Sequence, residues 1–264
     1  MNGLGPLFVE AVRDAVRRRI VAGIAVVCVI SVMMLDRCTG CGAGELVVNG
    51  EARPIASLAG GVGVATLLVL GLWVVALAGV LGADHLSQTL DDGSARMALA
   101  RPVSRGVFAL ARLGGVLAIA LAAALVMLGA AGFLLATRSE LPAAPALAAG
   151  AACALSCVVA ASLAMAASLA LPRAATVLLV FSAVATVAIA NAASLATPGM
   201  PPPGWLGAID RFGPPFATAM LAPLSAWLPQ ITLTVDPLAA FLRLLAWSAA
   251  GVAALWAAFR RIEL

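Results

Sequence analysis

PIASLAGGVGVATLLVLGLWVVALAGVLGA, residues 54–83, runs its whole length without an Asp, Glu, Arg, Lys or His. A helix needs about 20 apolar residues to cross the hydrocarbon of a bilayer, and this stretch exceeds that. Working outward, comparable charge-free stretches occupy Ile20 to Leu35, Leu113 to Thr137, Leu141 to Pro172, Ala174 to Ile209 and Leu244 to Phe259. The hydropathy pattern therefore predicts spans near 18–36, 58–83, 107–136, 144–171, 174–197 and 238–259. Composition agrees, with 63% hydrophobic and 11% charged residues where a soluble domain has about half and a quarter. The expected fold is an all-α polytopic membrane protein of about six transmembrane helices, a single transmembrane domain over residues 1–264. The run 107–136 is longer than hydrocarbon requires, so it should tilt or project into the cytoplasm.

Orientation follows from the arginines, since the chain has no lysine. With the N-terminus inside, Arg13, Arg17, Arg18, Arg19, Arg96, Arg101, Arg105, Arg112, Arg173, Arg260 and Arg261 fall on inner segments. Arg37, Arg53, Arg138 and Arg211 fall outside, and Arg243 sits at the outer start of the last span. That asymmetry satisfies the positive-inside rule and places both termini in the cytoplasm. The pI near 9.2 is then a topology signal and gives no reason to expect a nucleic-acid partner. The N-terminal stretch does not read as a cleaved signal peptide, because no small-x-small site follows its apolar run. Leu4, Leu7, Phe8, Ala11, Val12 and Ala15 recur at helical spacing, with Glu10, Arg13, Asp14 and Arg17 turned away. Residues 1–19 are expected to form a helix in the inner headgroup layer of the lipid bilayer.

Three connections carry the remaining information. The outer connection Asp36 to Ser57 contains Cys38-Thr39-Gly40-Cys41, and residues 198–237 contain Pro201-Pro202-Pro203 and Pro214-Pro215, which forbid a continuous helix. Residues 198–237 are expected to form short helices dipping into the outer leaflet, a re-entrant segment anchored by Trp205 and Trp227. The inner connection, residues 84–106, includes Asp91-Asp92-Gly93-Ser94-Ala95-Arg96-Met97-Ala98-Leu99-Ala100-Arg101-Pro102-Val103-Ser104-Arg105. Gly93 permits a turn, Ser94 is a good N-cap, and Asp91 and Asp92 suit the positive end of the helix that follows. Pro102 disfavours helix at Arg101. A short amphipathic helix results, whose Met97 and Leu99 have no partner within so small a loop and want a groove on another protein.

That segment, Gly-Ser-x-x-x-x-Leu-x-Arg-Pro-Val-Ser-Arg between the second and third of six spans, resembles the coupling helix of type-2 ABC transporter permeases. The interfacial N-terminal helix, the broken outer segment before the last span and the Arg260-Arg261 tail are similar as well. Relatives usually carry Glu and Thr in the turn, for which Asp91 and Ser94 stand in here. The resemblance implies an exporter-type permease of the bacterial inner membrane. It would be one of two permease subunits, homo- or heterodimeric, working with two copies of an ABC ATPase subunit. Residues Asp91 to Arg105 would dock on that ATPase. No cofactor is expected in this chain; ATP and Mg would sit on the partner.

The missing chemistry points the same way. No G-x-x-x-x-G-K-[ST] motif exists, and a chain without lysine cannot supply the P-loop cation. His85 is the sole histidine, which removes HExxH sites, and the ordinary reading of His85 is an interfacial polar residue. No catalytic residue or resident metal is assigned, so the chain reads as a non-enzyme. Ion-coupled carriers and channels normally hold intramembrane charges, and the spans show none. A further alternative keeps the fold but drives a separate periplasmic protein mechanically, as in copper-site or metal-enzyme maturation. Cys28, Cys153 and Cys157 read as packing residues. Cys38 and Cys41 face an oxidising compartment and are a disulfide candidate, with metal binding as the sharper alternative. Ala148, Ala152, Ser156, Ala160, Ala164 and Ser168 form a small-x-x-x-small row suited to close helix packing.

Overall fold

The computed structural model describes residues 4–16, 22–23, 26–31, 33, 45–48, 51–91, 104–139, 143–196, 204–225 and 236–261. Helix α1 covers Leu4–Val16. An antiparallel pair follows, β1 Glu45–Val48 and β2 Glu51–Pro54, in register Glu45 to Pro54 and Val48 to Glu51. Then come α2 Ile55–Asp91, α3 Arg105–Ser139, α4 Ala143–Ala167 and α5 Arg173–Ala196. Two short helices, α6 Trp205–Phe212 and α7 Phe216–Ser225, precede α8 Pro237–Arg261.

Five helices, α2, α3, α4, α5 and α8, are long and apolar enough to cross a membrane. The protein is therefore a membrane-embedded, polytopic helical bundle. The first expected span, 18–36, lies largely outside the described residues. The hairpin is a departure from an all-helical reading. Its strands are joined in sequence by Asn49-Gly50, the dipeptide that most favours a two-residue hairpin connection, a signal that hydropathy alone passes over.

Helix α4 is the centre of the bundle and packs against α2, α3, α7 and α8. Its composition explains this position. Ala152, Ser156, Ala160, Ala164 and Ser168 of the small row are buried, and only Ala148, near the start of α4, is exposed. Small side chains let backbones approach closely where lipid offers no hydrophobic drive between helices. Cys153 and Cys157 are buried there as free thiols, acting as small packing groups. At Gly82 of α2 the neighbour is backbone: an added Cβ would lie 2.7 Å from the Ala161 carbonyl oxygen. Backbone cannot move aside as a side chain can, so Gly82→Ala is expected to cost about 1–3 kcal/mol. Gly129→Ala is the control, since nothing lies within 4 Å of that position. Denaturant titration of the purified protein should show a lowered midpoint for the first and none for the second.

Hydropathy ends the second span at Ala83, yet α2 continues to Asp91. The extra two turns are polar in sequence and buried in the structure, with Asp84, His85, Ser87 and Thr89 each under a tenth exposed. Neighbouring helices cover them. The connection between α2 and α3 is correspondingly shorter than residues 84–106, since α3 has begun by Arg105. Within the proline-rich stretch, the described residues form two helices with Gly213-Pro214-Pro215 between them. The described length of helix α7 is ten residues, nearly all buried; at 1.5 Å per residue that length is about 15 Å, half a bilayer core.

Candidate functional site

Polar groups gather at the two ends of the bundle. At the end carrying Arg112 and Arg173, the last turns of α2 set up the arrangement. Ser87 Oγ donates to the Ala83 carbonyl at 2.8 Å, and Thr89 Oγ1 to those of His85 and Leu86 at 3.0 and 2.8 Å. These hydroxyls are satisfied by their own helix, which leaves Asp84 and His85 to address the neighbours. Consecutive positions point about 100° apart on a helix, so the two reach different partners.

Asp84, 2% exposed, lies 2.5 Å from Arg173 at the start of α5. A cation at a helix N-terminus opposes the macrodipole, and the carboxylate beside it neutralises that charge. His85 meets Arg112 of α3, Nε2 to Nη1 at 3.3 Å. Guanidinium has no acceptor, so the ring nitrogen accepts. The same Nη1 donates to Asp14 Oδ2 of α1 at 2.9 Å, and the guanidinium lies 5.3 Å from the Phe108 ring centre. Side-chain exposure is 7% for Arg112 and 41% for Asp14. Four helices, α1, α2, α3 and α5, are thus tied together through two ion pairs and one histidine.

Helix α1 is seated on α3. Ala11 is fully buried against Gly115, and Phe8 lies over Gly114, where the missing side chains let the helices meet. The helical wheel turns Asp14 away from the apolar face. It is instead half-buried and paired with Arg112, because the seat on α3 extends through Ala11 to Asp14, one turn further on. Arg13 and Glu10 are exposed, as the wheel places them.

Of the residues expected to couple to an ATPase, three lie at described positions. Asp91 closes α2, and Arg105 opens α3. Ser104 acts locally as the N-cap of α3: its Oγ accepts from the Val107 amide at 3.3 Å, and its carbonyl accepts from the Phe108 amide at 3.1 Å. Asp92, Gly93, Ser94, Ala95, Arg96, Met97, Leu99, Arg101 and Pro102 lie outside the described residues, as do Cys38 and Cys41. The first turns of α3 are gripped by the end of α8. Phe108 stacks on Phe259 with centroids 5.8 Å apart, Trp256 fills the space over Gly106, and Arg260 lies over the Trp256 ring at 4.5 Å. Sequence patterning does not find this grip, because an aromatic near a helix end reads equally well as an interface anchor.

The opposite end carries a second polar cluster. Helix α6 has no buried residue, so polar contacts hold it. Asn191 of α5, fully buried, donates to Asp210 Oδ1 at 2.8 Å and accepts from the Ala217 amide at the start of α7 at 3.2 Å. Helix α8 supplies the C-terminal cap of α6. Arg243 donates to the Gly213 carbonyl through Nε at 3.0 Å and Nη2 at 2.6 Å, and also to the Asp210 carbonyl. Trp247 Nε1 donates to the Phe212 carbonyl at 3.1 Å. Orphan carbonyls at a helix end inside lipid must find donors, and a cation there also suits the dipole.

No protein-family model matches the chain, and no curated protein is significantly similar to it. Between the two ends, several polar groups in the described span interiors bond within their own helices. Ser156, Ser162 and Ser182 return their hydroxyls to their own helices at 2.7–2.8 Å. The crevice among α2, α3, α4 and α7 holds only about 30 Å³, room for water but not for a substrate.

Proposed function

We propose that this chain is the membrane-spanning permease subunit of an exporter-type ABC transporter in a bacterial inner membrane. A separate ATPase would dock on residues Asp91 to Arg105. One observation carries the reading furthest: the loop of residues 92–103 joins α2 and α3, whose adjoining ends are tied by Arg112, His85, Asp84 and Arg173 to α1 and α5. A push on that loop would move four helices as a unit, which is what a subunit driven from outside the membrane requires. The crevice of about 30 Å³ among α2, α3, α4 and α7 fits a translocation path at the interface between two permease copies instead of through these four helices. Both termini and the loop are assigned to the cytoplasm on the arginine asymmetry. ATP and Mg belong to the ATPase, since this chain has no P-loop lysine.

Met97 and Leu99 supply the apolar contact in this reading. Replacing both with Ala removes two side chains from the docking groove, each worth about 1 kcal/mol or more. ATPase co-purification is expected to weaken about tenfold or more, with the membrane level of the permease unchanged. Wild-type binding and stimulated ATP hydrolysis by the double variant would overturn the docking assignment.

A further inference from the structure

We propose that the groove between α3 and α8 holds one anionic phospholipid, with an acyl chain along α8 and its phosphate on Arg260. This does not depend on the transport reading. The groove has a volume of about 550 Å³, within the usual range of ligand sites. Its walls include Leu110 of α3, Val158 of α4, and Leu245, Ala249, Val252 and Trp256 of α8. The Ser248 hydroxyl on its wall is already engaged, donating to the Leu244 carbonyl at 2.9 Å and the Leu155 carbonyl at 3.3 Å. From Leu245 to Val252 the groove therefore offers an occupant apolar contact and no free hydroxyl.

A cation closes one end of this track. At about 100° per residue, Leu245, Ala249, Val252, Trp256 and Arg260 share an arc of about 80° on α8. The Arg260 guanidinium lies over the Trp256 ring at 4.5 Å, and Trp256 is itself part of the wall. Arg260 is exposed and has no acidic partner among the described residues. Arg261 is the counter-example, about 140° from the middle of the same arc.

Length and charge decide the occupant. Arg260 stands seventeen positions beyond Arg243 on α8, about 26 Å at 1.5 Å per residue. With Arg243 at one boundary, Arg260 reaches the other boundary of a roughly 30 Å core. The track from Trp256 back to Leu245 covers about 16 Å, the depth of one leaflet of hydrocarbon. An amphiphile with an anionic head at Arg260 and a chain one leaflet long fits both ends, and its phosphodiester gives the guanidinium a charge-assisted contact. A symmetric contact with a second copy fits worse. It would set two Arg260 cations at one depth, and α8 carries no carboxylate to offset them.

Native mass spectrometry of the purified full chain, incubated with phosphatidylglycerol or phosphatidylcholine of matched chains, tests this. One phosphatidylglycerol should be retained about fivefold more strongly than phosphatidylcholine, the worth of one Arg against an anionic headgroup. Arg260→Gln should abolish that preference, and Arg261→Gln should leave it in place. Ala249→Phe, which fills the track and keeps Arg260, should displace the lipid. All three positions are exposed, so monodispersity and helical circular dichroism should match the wild type. An Arg260 or Ala249 variant failing that check is replaced by Arg260→Met or Ala249→Leu. Equal retention of the two lipids, an undiminished preference in the Arg260 variant, or an equal loss in the Arg261 variant overturns the phosphate contact. Undiminished retention on the Ala249 variant overturns the groove.

Discussion

Asp14→Ala is expected to destabilise the protein more than Arg112→Met does, although both remove the same ion pair. The asymmetry comes from what is left behind. Without Asp14, the Arg112 guanidinium stays 7% exposed, with His85 and the Phe108 ring as its partners among the described residues. A buried charge stripped of its counter-ion typically costs about 3–5 kcal/mol. Without Arg112, the Asp14 carboxylate is 41% exposed and can take water, so the loss should be nearer 1–2 kcal/mol. The double variant should recover much of the Asp14→Ala loss, since no stranded cation remains. Denaturant midpoints of the three variants measure the order, and limited proteolysis near Val16 reports whether α1 has left α3. Equal losses for the two single variants would show that Asp14 is not the group that neutralises Arg112. In the permease reading, the same variants should uncouple α1 from α3 without touching the loop, leaving ATPase binding in place.

The second large effect is expected at Arg243. This side chain caps the Asp210 and Gly213 carbonyls at the end of α6, which buries nothing of its own. Arg243→Met preserves the stem and removes every donor. Two carbonyls then face a medium with little water, at about 1–3 kcal/mol each. The short helix should detach at this end, with only Asn191 to Asp210 and Trp247 to Phe212 remaining. Hydrogen exchange at the Gly213 amide, bonded to the Ile209 carbonyl at 2.7 Å, should accelerate by roughly thirtyfold to ten-thousandfold for about 2–6 kcal/mol. Arg243→Lys should fall between, because an ammonium keeps the charge but cannot span two carbonyls as a planar fork does. Unchanged exchange in the Met variant would mean that the lipid-facing cap is dispensable.

The two clusters and α8 suggest how the ends of the bundle are mechanically related. Helix α8 holds the start of α3 through Phe259 and Trp256, and the end of α6 through Arg243 and Trp247. It also packs along α4. Movement of α8 relative to α4 therefore has to strain one grip or carry both. Helices packed at close range shift as rods, because their interfaces tolerate discrete arrangements better than gradual deformation.

Sequence by itself determines that this is a helical membrane protein, because hydrocarbon leaves a backbone no alternative to internal hydrogen bonding. The charge-free runs place α2, α3, α4, α5 and α8 where they are found, and the paired prolines divide α6 from α7. The alanine row on α4 also marks a true packing face, since closeness depends only on side-chain size. Tertiary structure decides what each charge is for. Hydropathy stops a span at the first ionisable residue, so Asp84 and His85 read as its end. They are interior to α2 because Arg173 and Arg112, remote in sequence, are brought beside them. Asp14 reads as solvent-facing for the same reason, until α3 supplies its counter-ion. Arg243 reads only as a charge at the outer start of the last span, yet it caps a helix thirty residues away. A charge is placed by the partner that neutralises it, and which partner comes within 3 Å is settled by the packing of whole helices, not by local sequence.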